Sequence, residues 1–126
     1  MLAKIQSATV VGIEGRLVDV ECDVSSGAPT FDTIGLPELA VREARVRVRS
    51  AIRHSELPFP KTRVIVNLAP ADLRKEGTGY DLPVALGILT ASGVLPLDAL
   101  QGWLVIGELS LTGAIRPVSG VLPPRR

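Results

Sequence analysis

At 126 residues the chain has room for one domain with a buried core. Hydrophobic residues make up 46%, charged residues 21%, and mean hydropathy is +0.32, which excludes a disordered tail; no apolar run approaches the roughly 18 residues of a membrane helix, and the N-terminus lacks a secretory signal pattern. Net charge is +1, the single Cys22 excludes an internal disulfide, the single His54 excludes a histidine cluster, and the expected compartment is cytoplasmic.

Charge is unevenly spread. Residues 36 to 75 carry nine Lys/Arg against four Asp/Glu, and the remainder carries five against nine. The basic stretch fits either an anionic partner or a solvated helix face.

Residues 3 to 11 and 16 to 24 read as two strands, with a turn from Gly12 to Gly15 that makes them a hairpin. Val18, Val20 and Cys22 alternate with Asp19, Glu21 and Asp23, which predicts one buried face and one acidic face. Cys22 falls in the buried phase, so it reads as core rather than nucleophile. Thr30 to Ile34 is a short third strand. Gly35-Leu36-Pro37-Glu38 then opens a helix over 37 to 53, since Pro suits a first turn and Glu38 complements the positive helix end.

On that helix Ala40, Val41, Ala44, Val48, Ala51 and Ile52 gather on one face. Arg42, Arg45, Arg49 and Arg53 form a stripe beside it, and Arg47 points elsewhere. Such a stripe could track phosphates or simply solubilise the helix. Pro58 and Pro60 punctuate the link to a strand over 62 to 68. Asp81 is placed to cap a second helix whose first turn tolerates Pro83 and which Gly93 stops. A loop with a helical turn at Leu97 to Leu100 follows, then a buried-type strand from Trp103 to Ile106 and a last strand from Ala114 to Val118.

The stretch from Asn67 to Pro83 joins a strand to a helix, where α/β domains place binding and catalytic groups. It contains no Gly-x-x-x-x-Gly-Lys-[Ser/Thr], so it is not an ATP-binding P-loop. Lys75 and the amides of Gly77 to Gly79 could form a weak anion nest, or the glycines could serve a tight turn. Asp72, Glu76, Asp81 and Glu108 show no metal-ligand spacing. Thr78 and Ser119 are the available hydroxyl nucleophiles, and Lys75 among charged neighbours should stay protonated.

Gly35 to Glu38, Arg42 to Ile52, Asn67 to Leu73, Lys75 to Pro83 and Gly107 to Gly113 together resemble the N-terminal domain of the ComM/YifB proteins, magnesium-chelatase-like AAA+ ATPases. The resemblance runs in order through nearly the whole chain. It implies that 1–126 is a single accessory domain and that an AAA+ domain follows residue 126. That domain would bind ATP and Mg2+, and the full-length protein would be a homo-hexamer that remodels DNA by branch migration in recombination and natural transformation. The domain also resembles the proteolytic domain of Lon, which implies a mixed-sheet α/β (α+β) fold with two main helices and a left-handed βαβ crossover. Against Lon's motifs, Arg74-Lys75-Glu76-Gly77-Thr78-Gly79-Tyr80-Asp81 puts Gly79 at the serine position, and Ser119-Gly120-Val121 puts Leu122 at the lysine position. The resemblance therefore implies no Ser–Lys peptidase dyad and no cofactor in this chain. Its family-motif loop is Lys75, Glu76, Gly77, Thr78, Gly79 and Asp81. The expected nucleic-acid contacts are Arg42, Arg45, Arg49, Arg53, Arg74 and Lys75. The alternative is an interaction or assembly module without DNA contact, and a vestigial hydrolase ranks last.

Overall fold

The computed structural model describes residues 1–11, 14–73, 75 and 78–117. Its elements are β1 (Leu2–Val11), β2 (Glu14–Ser25), β3 (Thr30–Ile34), α1 (Glu38–His54), β4 (Arg63–Ala69), α2 (Asp81–Ala91), β5 (Glu108–Leu109) and β6 (Ile115–Arg116). A four-stranded mixed sheet has the order β1-β2-β4-β3, and β5 pairs with β6 separately. The fold class is the expected one.

The β1–β2 hairpin keeps an unbroken antiparallel register from Leu2↔Asp23 to Val11↔Glu14. Pairing reaches further than expected: Glu14 and Gly15 belong to the strand, and Gly12 lies outside the described residues. β2 pairs antiparallel with β4, and β3 pairs parallel with β4. β3 and β4 are parallel neighbours joined through α1, which makes β3–α1–β4 a βαβ unit.

The period-2 pattern sorts the sheet into two faces. Ala3, Ile5, Val18, Val20, Cys22, Phe31, Val64, Val66 and Leu68 are buried beneath the helices. Complete burial of each Val or Leu is worth about 1.5–3 kcal/mol. The opposite face is open and carries Asp19, Glu21, Asp23 and Asp32, with Asn67 Nδ2 donating to Glu21 Oε1 at 2.8 Å. α1 contributes Val48, Ala51 and Ile52 to the core, whereas α2 is buried almost all round. β-branched residues dominate the sheet, and small residues let α2 press close. Gly35 turns the chain from β3 into α1 at φ +104°, where a Cβ would sit 2.6 Å from the Leu68 carbonyl oxygen.

Cys22 has no solvent exposure, and burial pushes its thiol up to about 12. Since the thiolate is the reactive form, thiol reagents should label the folded chain only as fast as it unfolds. Labelling in native buffer at the rate seen in denaturant would contradict this placement.

Two expectations near the C-terminus need correction. The 103–106 strand reduces to one parallel bridge, Gln6↔Leu104, with Val105 N–H donating to the Gln6 carbonyl at 2.9 Å. Val105 alone of the Trp103–Val105 run enters the core, and Trp103 stays 67% exposed. The last strand is only Ile115–Arg116 among the described residues, and Val118, Ser119, Gly120, Val121 and Leu122 lie outside them. The turns between Pro96 and Trp103 fall where a helical turn was expected.

Candidate functional site

The loop between β4 and α2 is built as a brace. Asp81 begins α2, yet its side chain caps no helix; the N-cap position belongs to Tyr80, with no side-chain bond. The capping role expected of Asp81 is thus replaced by a longer-range one. Its carboxylate is 1% exposed and accepts from Arg47 Nε at 2.6 Å, Arg47 Nη2 at 3.1 Å and the Leu109 N–H at 3.1 Å. One side chain thereby ties α1, α2 and β5 together. Burial pushes the Asp81 carboxyl above the usual carboxylate range, against the pull of Arg47 and the Leu109 N–H. The Asp81 carboxylate in turn raises Arg47 further. The backbone reinforces the join: the Gly107 N–H donates to the Gly79 carbonyl and the Leu82 N–H to the Gly107 carbonyl, both at 2.9 Å.

Lys75 is 2% exposed, and Nζ donates to the Pro70 and Leu73 carbonyls at 2.6 Å each. The surface position that an anion contact needs is therefore not where Lys75 lies. Nζ thus ties two loop carbonyls together, the Pro70 carbonyl also accepting from the Leu73 N–H at 3.3 Å. Gly79 is buried and offers no side chain, and the Thr78 carbonyl accepts the Asp81 N–H at 3.2 Å. Arg74, Glu76 and Gly77 lie outside the described residues. Asp81 is committed to Arg47, and among the described residues no three His, Cys, Asp or Glu side chains converge. The described loop residues have the chemistry of a structural joint.

The arginine stripe does not remain one surface. Arg42 is exposed, whereas Arg45 Nη1 donates to the Phe31 carbonyl at 2.8 Å and is half-buried. Arg49 Cζ lies 5.7 Å from the Phe31 ring centroid and 5.5 Å from that of Phe59, and Arg53 Cζ lies 5.9 Å from the Phe59 centroid. Cations at these distances are held by the ring quadrupole. Arg49, Arg53, Phe59, Lys61, Thr30 and Thr62 line a surface hollow of about 420 Å³. Among the described residues, no carboxylate pairs with Arg42, Arg49, Arg53 or Lys61. Sequence reasoning found the arginines by their spacing and missed Phe59 and Lys61. The only available signal was a Phe and a Lys close behind a basic helix.

The comparisons with known proteins agree with one another. The family model described as subunit ChlI of Mg-chelatase matches residues 20–125. The chain is 47% identical over 122 residues to "Competence protein ComM" of Haemophilus influenzae, covering 97% of this chain and 24% of that protein. It is 45% and 44% identical, over 121 residues each, to the YifB proteins of Salmonella typhimurium and Escherichia coli, again covering 96% of this chain and 24% of theirs. The chain thus spans about a quarter of the length of these curated relatives.

Proposed function

The chain belongs to the family described as subunit ChlI of Mg-chelatase, within its ComM/YifB group, and from that footing we propose that it is the non-catalytic, DNA-contacting N-terminal domain of an AAA+ motor. The Arg47–Asp81–Leu109 brace carries the non-catalytic part of this reading. It occupies the strand-to-helix loop with structural bonds, and Gly79 brings no nucleophile to it. The matched Haemophilus protein is named for competence, which favours a motor that handles DNA. ATP and Mg2+ would be held by a further domain, because these residues contain no P-loop sequence. The whole protein would work in the cytoplasm as a homo-hexamer.

DNA contact is supported by the exposed cations of α1, which lack carboxylate partners among the described residues. Phosphate contacts make affinity fall steeply with salt. In a fluorescence titration at two salt concentrations, the Arg42→Ala/Arg45→Ala/Arg49→Ala/Arg53→Ala variant should bind DNA at least about tenfold more weakly, with a shallower salt slope. Unchanged affinity would remove DNA contact from the reading.

A second reading has its own observation. The open sheet face is acidic, through Asp19, Glu21, Asp23 and Asp32, while the outer side of α1 is basic. Unlike faces of opposite charge suit a head-to-tail contact between copies, the kind that closes rings. Full-length protein that forms rings equally well without this domain would count against it.

A further inference from the structure

We propose that the hollow around Phe59 is a single-stranded nucleic-acid site, in which Arg49, Arg53 and Lys61 take backbone phosphates and the Phe59 ring with its overlying guanidinium groups supports a base. The inference rests on the DNA-contact reading above and narrows it to one end of α1.

Charge comes first. Three exposed cations share one hollow, and two of them lie over the same ring. Like charges gathered this way repel one another and lower fold stability unless something offsets them. No carboxylate lines the hollow, and among the described residues none forms an ion pair with Arg49, Arg53 or Lys61. The negative end of α1 lies nearby and relieves only part of the repulsion. An anion drawn from solution completes the balance.

The second argument concerns chemistry. Thr30 and Thr62 add hydroxyls to the lining, so the polar groups there are mostly donors, which suit phosphate oxygens. Phe59 is half-buried against Phe31, with ring centroids 5.5 Å apart, so its position is fixed by the core. The ring holds Arg49 and Arg53 in place before any ligand arrives, which reduces the ordering entropy of binding. Aromatic groups flanked by cations are how sequence-tolerant single-strand sites work, because every base has a stacking face.

Shape selects between single strand and duplex. A concave hollow of about 420 Å³ admits one unstacked nucleotide unit, whereas duplex backbone is convex and keeps its bases inside. Arg45 is drawn toward Phe31 and is excluded from the site.

The test uses a fluorescent oligothymidylate and a duplex of equal length, titrated into the 126-residue chain at two salt concentrations. Arg53→Ala/Lys61→Ala alters exposed side chains only, so folding should survive. It should weaken oligothymidylate binding about tenfold and reduce the magnitude of the salt slope by roughly 1.4, two phosphate contacts' worth on a single strand. Phe59→Leu, checked for folding by thermal melting, should also lose about tenfold. Lys4→Ala, on the open sheet face, should bind as the parent does. Weakening by Arg42→Ala/Arg45→Ala, with no effect of the hollow variants, would overturn the hollow and leave DNA contact by α1 standing. Equal losses for duplex and single strand would overturn the single-strand assignment. No binding by the parent at low salt would remove both.

Discussion

Asp81→Ala is expected to destabilise the domain by about 3–5 kcal/mol, a large fraction of the roughly 5–15 kcal/mol that holds a domain folded. The deletion leaves the Leu109 N–H without its acceptor and Arg47, whose side chain is only 21% exposed, without its counter-charge. Both losses fall at the one point where α1, α2 and β5 meet. Asp81→Asn keeps a carbonyl for the Leu109 N–H and should cost less. Arg47→Met strands the carboxylate instead, and its cost depends on pH. Burial already raises Asp81 above its unfolded value in the parent. The folded chain therefore holds that proton to higher pH than the unfolded chain does. The resulting stability is complete below the unfolded value, about 3.9. It is lost as pH rises through the folded value. Without Arg47 the folded value climbs further and the loss grows. The gap between parent and Arg47→Met should thus be widest near about pH 7 and narrow toward about pH 4, read from urea midpoints. A gap that stays constant with pH would mean that Arg47 does not hold the Asp81 charge. The double variant Arg47→Met/Asp81→Leu should cost less than Asp81→Ala, since neither charge is then stranded.

The brace also marks the boundary of what the sequence could disclose. The alternation of Val18, Val20 and Cys22 with Asp19, Glu21 and Asp23 determined both faces of β2, because side-chain period in a strand is geometric. The helical spacing on α1 found the buried Val48, Ala51 and Ile52 for the same reason. It also set Arg47 apart from the other arginines but could not name its partner, which is 34 residues away. Asp81 at a helix start suggested a cap because capping is local. The bond it makes instead is tertiary, and tertiary partners leave no periodic trace. Lys75 misled for a related reason. A lysine between Arg74 and Glu76 resembles solvated surface, and only the folded loop reveals the carbonyls of Pro70 and Leu73 that draw it inside. Trp103 misled in the other direction, since a short apolar run does not say which of its members face the core. The sheet order β1-β2-β4-β3 was likewise set by long-range pairing.

Gly87→Ala places two effects in direct opposition, and the structure says which prevails. Within α2, alanine in place of glycine should help by about 0.5–1 kcal/mol through backbone entropy. A Cβ on Gly87 would, however, lie 2.5 Å from Cys22 Sγ, well inside contact distance. Cys22 sits on the sheet's interior strand β2, paired with Ala3 on one side and Val66 on the other, and has no exposure. Neither the sulfur nor the strand can withdraw without moving the core. Overpacking of this kind costs about 1–3 kcal/mol, so the net change should be a destabilisation of roughly 1–2 kcal/mol despite the better helix former. The sign reverses if the sulfur is removed. Once Cys22→Ala takes it away, the next neighbours of the new methyl are Cys22 Cβ at 3.4 Å and Ile5 Cγ1 at 3.5 Å, both ordinary contacts. Gly87→Ala/Cys22→Ala moves volume from strand to helix with little net change, and volume-conserving exchanges are tolerated best. It should therefore be more stable than either single variant, with the double-mutant cycle showing a favourable coupling of about 1 kcal/mol or more. Urea midpoints of the four chains measure this. Additive costs would mean that α2 shifts away from the sheet to admit the methyl, and that Gly87 does not set their separation.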